Sequence, residues 1–298
     1  MMPVADVDTT LLVDLLVAGL VSGATYALAA AGLALIYGVM EVINMAHGEL
    51  YMAGAFIAYL GVAHLHLSYV AVLGLAVVVL GLFGLVFYDG LLGRLGPRGQ
   101  FERGIVLTLG VSLVLQNGAI AIFGPEPRTI STGLTFDTFQ LGEQTLVTTR
   151  VYAVICAAVA FALLWVVLNH TTIGRSMRGA AQNPTAALMV GLNPTRVARI
   201  TVVLGCALAG LAGCALTFVY NANPTVGIPV VFTAFAVIII GGLGSLPGTI
   251  ITAFGLGLAQ SYVGGLVSTT LQDAVSFSLM MLVLFVRPQG LFGREVRL

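Results

Sequence analysis

Apolar stretches of close to 20 residues recur along this chain, at 11–39, 48–66, 68–90, 104–123, 151–169, 200–220, 230–246, 249–267 and 271–287. A helix crosses the hydrocarbon core of a bilayer in about 20 residues. A transmembrane strand would alternate in polarity over about 10 residues, and no such alternation is present. Charged residues make up 8% of the chain, against about 25% in a soluble domain, so a soluble fold is excluded. The expected fold is all-α, a polytopic transmembrane helical bundle forming a single membrane domain over 1–298. The first stretch exceeds one crossing. It reads either as one tilted helix or as a span followed by a broken piece ending near Asn44–His47, so about 8 to 10 crossings are expected. The 37 glycines suit close helix packing, broken helices and re-entrant turns.

Arginine supplies all 12 basic residues, and its placement orients the chain. Arg94, Arg98 and Arg103 share one connection, and Arg175, Arg178, Arg196 and Arg199 a second. Arg287, Arg294 and Arg297 follow the last apolar stretch. The positive-inside rule puts these on the cytoplasmic side. The connection at 124–150 mixes Glu126, Asp137 and Glu143 with Arg128 and Arg150, and is expected outside together with the turns at 221–229 and 267–273. An odd number of crossings then puts the acidic start MMPVADVDTT outside. That start lacks the basic region of a cleaved signal peptide, so the first span is expected to be retained. The formal net charge is zero, which argues against nucleic acid as a partner.

The connection at about 170–199 carries its arginines without a single acid. Asn183 and Pro184 are a helix start, asparagine at the cap and proline at the first helical position. Ala186, Ala187, Leu188 and Met189 favour helix. Gly191 and Asn193-Pro194 end it. A short helix on a cytoplasmic loop can enter a groove on another protein. A loop whose arginines meet anionic head groups is the other reading these residues leave open.

The spacing of Ala186, Ala187 and Gly191 resembles the Ala-Ala…Gly core of the cytoplasmic loop in ABC importer permeases. Thr185 stands where that motif usually has glutamate, and the later part of the consensus is missing. These departures point away from the sugar, peptide and metal permeases that keep the full motif. Four ordered blocks resemble the branched-chain amino acid permease family instead: YALAAAGLALIYGVMEVINMAHGELYMAGAF (26–56), TIGRSMRGAAQNPTAALMVGLN (172–193), GGLGSLPGT (241–249) and RPQGLFG (287–293). The INMAHGE block is similar to the H-type membrane subunit of leucine/isoleucine/valine importers.

The resemblance implies a bacterial inner-membrane subunit working with several partners. These are a second related permease, two cytoplasmic ATPases and a periplasmic substrate-binding protein. It also implies that the helix near 184–191 is the coupling helix, with Arg175, Arg178, Asn183, Pro184, Ala186, Ala187 and Gly191 at the ATPase contact. No cofactor is expected on this chain. ATP and magnesium would belong to the ATPases, because the chain has no G-x-x-x-x-G-K-[ST] loop and no lysine.

A second group, Glu41, Asn44, His47 and Glu49 with Tyr37 and Tyr51 nearby, interrupts apolar sequence. Ionisable groups there should face a cavity, a partner or the interface. On a helix Asn44 and His47 would share a face at i, i+3. Tyr37, Asn44, His47 and Glu49, with Asn117 of a later span, are candidates to line a translocation path. A buried hydrogen-bonded knot is the other reading.

His47-Gly48-Glu49 has the H-x-E shape of a zinc deaminase, but the P-C-x-x-C it requires is absent. Cys156, Cys206 and Cys214 lack C-x-x-C spacing, so no metal site is expected. No catalytic group is expected either. The glycine-rich segment 238–249 reads as a turn and matches nothing upstream closely enough to mark a repeat. The reading is a non-catalytic permease subunit of an ATP-driven importer for branched-chain amino acids. A sibling importer for urea, amides or other amino acids, and a self-sufficient secondary transporter or channel, are its rivals.

Overall fold

A computed structural model describes residues 9–95, 100–130, 138–141, 144–219 and 221–293. Arg98, Arg294, Arg297, Asp137, Glu143 and the acidic start at 1–8 lie outside the described residues. The helices are α1 (Thr9–Met40), α2 (His47–Ala63), α3 (Tyr69–Gly90), α4 (Gln100–Phe123), α5 (Thr148–His170), α6 (Thr172–Gln182), α7 (Pro184–Met189), α8 (Pro194–Thr217), α9 (Gly227–Gly241), α10 (Leu246–Leu266) and α11 (Gln272–Val286). A short antiparallel hairpin, β1 (Thr138–Leu141) and β2 (Gln144–Val147), precedes α5 as an addition to the helical bundle.

Among the described residues, seven helices are long and apolar enough to cross a membrane: α1, α3, α4, α5, α8, α10 and α11, with α3 counted together with the 3-10 turn after it and α11 with the one before it. The expectation of 8 to 10 crossings treated 48–66 and 230–246 as full spans. In the structure those stretches fold as the 17-residue α2 and the 15-residue α9, both short of the roughly 20 residues a span needs. The long first stretch is one unbroken helix of 32 residues. It stops at Met40, and Glu41 takes a left-handed backbone, φ 54°, a conformation a helix interior does not admit.

Helix directions follow from specific contacts. α10 runs antiparallel to α1: Tyr262 OH donates to Leu12 O at 3.3 Å, Ser261 Oγ donates to Leu15 O at 2.6 Å, and Gly38 faces Gly244 at the other end. α8 runs antiparallel to α3, with Leu80 against Gly210 and Gly84 against Val203. α1 and α8 are also antiparallel, since Val39 packs near Val197 while Gly32 meets Gly205. The ends of α1, α3, α5, α9 and α11 therefore share one end of the bundle with the starts of α8 and α10. That end carries Arg94, Arg175, Arg178, Arg196, Arg199 and Arg287. Arg128 lies at the opposite end, where its backbone pairs with Ala222 at 2.7 and 2.9 Å.

These contacts reveal an internal repeat that the sequence reading did not find. α1–α2–α3 and α8–α9–α10 are each a long helix, a short helix and a third helix that packs on the long helix of the other set. Because α1 and α8 are antiparallel, the two sets are inverted. The connections into the short helices share two bonds. Asn44 Oδ1 accepts from Ala46 N at 3.1 Å, and Asn223 Oδ1 accepts from Thr225 N at 3.0 Å. His47 N donates to Asn44 O at 3.2 Å, and Val226 N donates to Asn223 O at 3.2 Å. Each asparagine makes a turn two residues on, a local bond that competes with helix and so delays its start.

Four residues after each asparagine comes a glycine, Gly48 and Gly227, and these two meet at the junction of the sets. A β-carbon on Gly227 would lie 2.6 Å from the Gly48 carbonyl carbon. No side chain fits where the two backbones touch. Between helices in lipid the hydrophobic effect offers no drive, so such close packing of small residues carries the association.

Candidate functional site

The arginine-bearing end presents α6 and α7. Thr171 caps α6, its Oγ1 accepting from Gly174 N at 3.2 Å. Asn183 caps α7, its Oδ1 accepting from Ala186 N at 2.9 Å, with Pro184 in the first turn. Gly191 takes φ +81° and ends the helix. Asn193 then starts α8, accepting from Arg196 N at 3.1 Å. The start and stop expected for this short helix are thus both present, and for the expected physical reasons.

Met177, Ala180, Ala187 and Val197 form one buried cluster, with Val39, Leu168, Leu192 and Leu204 packed around it. α6 and α7 are thereby seated on the ends of α1, α5 and α8. The seven residues proposed for the ATPase contact do not share one role. Ala187 is buried in the seat, and Gly191 supplies the turn. Arg178 is exposed, but its guanidinium donates back to Leu168 O at the end of α5. Arg175 and Ala186 are exposed. The reading of single residues missed the tip of α7. Leu188, Met189 and Val190 are 60%, 86% and 76% exposed. The available signal was three consecutive apolar residues inside an otherwise polar loop.

The second candidate group lies at the start of α2. His47 is buried, and its Nε2 is 2.8 Å from Ala29 O of α1. α2 therefore begins beside the middle of α1, well short of the end of that helix. Glu49 is buried too, and Ser112 Oγ of α4 donates to its Oε1 at 3.2 Å. The other carboxylate oxygen lies against the first residue of α9, Gly227. Thr108 of α4 accepts from Met45 N at 3.0 Å and donates to Gly104 O at 2.8 Å.

One expectation is corrected here. Asn44 and His47 do not share a helix face, because Asn44 precedes the helix and holds the turn. Asn117 joins none of the others. It is exposed on α4 and donates to Leu113 O of its own helix at 2.8 Å. Tyr37 is half-buried near the end of α1, one turn before Glu41. Asn44, His47 and Glu49 thus tie α1, α2, α4 and α9 together. Asn44 Nδ2, His47 Nδ1 and Glu49 Oε2 are left without a hydrogen-bond partner among the described residues.

The comparisons with known proteins agree on one family. Residues 15–284 match the family model described as branched-chain amino acid transport system / permease component. The chain is 31% identical to the high-affinity branched-chain amino acid transport system permease protein BraD of Pseudomonas aeruginosa, over 94% of this chain and 95% of that one. It is 31% identical to LivH of Escherichia coli, a protein of the same description, over 93% and 94%. A similarity of 28% to the ribose import permease RbsC of Escherichia coli covers 61% of this chain and 57% of the relative. With its membrane-length helices, this makes the chain a multi-pass membrane protein, and it belongs to the family of branched-chain amino acid transport system permease components.

Proposed function

We propose that this chain is the non-catalytic membrane subunit of an ATP-driven importer in a bacterial inner membrane, and that its cargo is leucine, isoleucine or valine. An external binding protein delivers the amino acid. A second, related permease completes the pathway, and two cytoplasmic ATPases bind ATP and magnesium and supply the work. The observation that carries this reading is α7, a capped and firmly seated helix whose apolar tip stands clear of the arginine-bearing end. An exposed apolar tip on a rigid base is what a groove on a partner can grip. Closure of the ATPase pair would push on α7, and α6 and α7 would pass that displacement to the ends of α1, α5 and α8.

The test is uptake of labelled leucine, urea and ribose into membrane vesicles, with and without the partner subunits. Leucine uptake that requires ATP and every partner is the expected result. ATP-dependent uptake of urea or ribose without leucine would keep the architecture and replace the cargo. Gradient-driven transport by this chain alone would overturn the reading.

A further inference from the structure

A cavity of ≈ 200 Å³ opens at the end of the bundle opposite the arginines, where the two short helices α2 and α9 approach each other. Ala55 of α2 and Val226 and Val230 of the α9 side supply apolar wall. Thr217 at the end of α8 and Thr233 of α9 supply hydroxyls. Asp273, in the first turn of α11, is the one charged residue among the described residues that line it. The volume falls below the roughly 300 Å³ at which drug-sized pockets begin, so the cavity suits one small molecule.

Two independent features make this more than a surface dent. First, it sits at the junction of an inverted repeat, against two short helices entered through matching asparagine turns. Discontinuous helices at such junctions are where transporters place their sites, because only there does irregular backbone face a cavity rather than lipid. Second, both short helices wall it at matching positions. Val230 of α9 and Tyr51 of α2 each stand three residues after the paired glycines, and both line the cavity.

We propose that this cavity is a binding site for one α-amino acid within the permease, Asp273 receiving the ammonium group and Ala55, Val226 and Val230 an aliphatic side chain. It rests on the amino acid reading above and adds the place where the cargo halts. Asp273 also has a plainer explanation, since an acid in a first helical turn complements the helix dipole. The experiment separates the two.

The complete transporter, with ATPases, second permease and binding protein, is reconstituted with Cys156, Cys206 and Cys214 replaced by serine and Val226→Cys introduced. Labelling of Val226→Cys by a membrane-impermeant maleimide is followed with and without saturating free leucine. Leucine is expected to slow labelling, and Asp273→Asn to raise the leucine concentration needed by about tenfold or more, the loss of one charge-assisted hydrogen bond. Val230→Trp, which fills the space, is expected to stop leucine uptake while the amount of assembled complex in the membrane is kept. A smaller change, Val230→Leu, covers the case in which the tryptophan does not fold, and should lower the uptake rate.

No protection by leucine, or full uptake by assembled Val230→Trp, would overturn the site while leaving the importer reading intact. A wild-type complex that takes up no amino acid would overturn both. Unchanged protection in Asp273→Asn would return that carboxylate to its role at the helix end and overturn its assignment to the ammonium.

Discussion

At the residue scale, the two asparagine turns do the same work in different surroundings. Asn44 is fully buried, at 0% exposure, while Asn223 is half-buried. Removing the Asn44 amide leaves the Ala46 N–H without its acceptor in a site water does not reach. Asn44→Ala is therefore expected to destabilise by about 1–3 kcal/mol. Asn223→Ala should do less harm, because solvent can replace the lost bond. Thermal unfolding of the two variants in detergent measures the difference, and equal shifts would contradict the burial argument. Gly48 and Gly227 are less forgiving. Gly227→Val would drive a branched side chain into the Gly48 backbone, and the expected outcome is loss of assembled protein in a membrane fraction. Normal amounts of well-behaved Gly227→Val protein would mean that the two short helices need not touch.

At the scale of elements, the arginine-bearing end divides into seat and tip. Ala187 belongs to the seat, where a larger side chain overpacks the cluster of α6, α7 and α8. Ala187→Leu should destabilise by about 1–3 kcal/mol. Leu188 and Met189 belong to the tip and touch little of this chain. Met189→Glu should leave thermal stability within about 0.5 kcal/mol, yet sever binding-protein-stimulated ATP hydrolysis from uptake. The readout is the pair of rates in one preparation, and unchanged uptake would remove α7 from the coupling role. The ion pair between Arg199 at the start of α8 and Asp89 at the end of α3, 2.8 Å long, is about half exposed on both sides. A pair of that exposure contributes about 0–1 kcal/mol, so Asp89→Asn is expected to be nearly silent in the same melt. α3 and α8 are held instead by the close approach of Leu80 to Gly210 and of Gly84 to Val203.

For the whole molecule, the antiparallel pairing of α1 with α8 fixes which ends lie together. The arginines of the described residues sort accordingly, with Arg94, Arg103, Arg175, Arg178, Arg196, Arg199 and Arg287 at one end and Arg128 and Arg150 at the other. By the positive-inside rule the first end is expected to face the cytoplasm. In right-side-out vesicles, an impermeant maleimide should label Thr225→Cys and spare Ala186→Cys. Inverted vesicles should show the reverse. Both positions are exposed, so burial does not confuse the result.

The sequence alone determined that this chain is a helical membrane bundle and where the short helix 184–189 begins and ends. Those properties are local. Hydropathy reports transfer into lipid one segment at a time, and caps act within a turn of the residues that make them. Family membership was legible for a similar reason, since four short blocks each keep their own residues in order. The lengths of α2 and α9 were not legible, because their apolar runs, 48–66 and 230–246, continue past Ala63 and Gly241, where the helices end. Nor was the inverted repeat, which is carried by two turns and two glycines rather than by matching side chains. The union of Asn44, His47 and Glu49 with α1, α4 and α9, the separation of Asn117 from them, and the cavity beside Asp273 all depend on which helices become neighbours. Only the tertiary structure decided those, because backbone approach at Gly32–Gly205 and Gly48–Gly227 is a property of helix pairs and is written in neither helix alone.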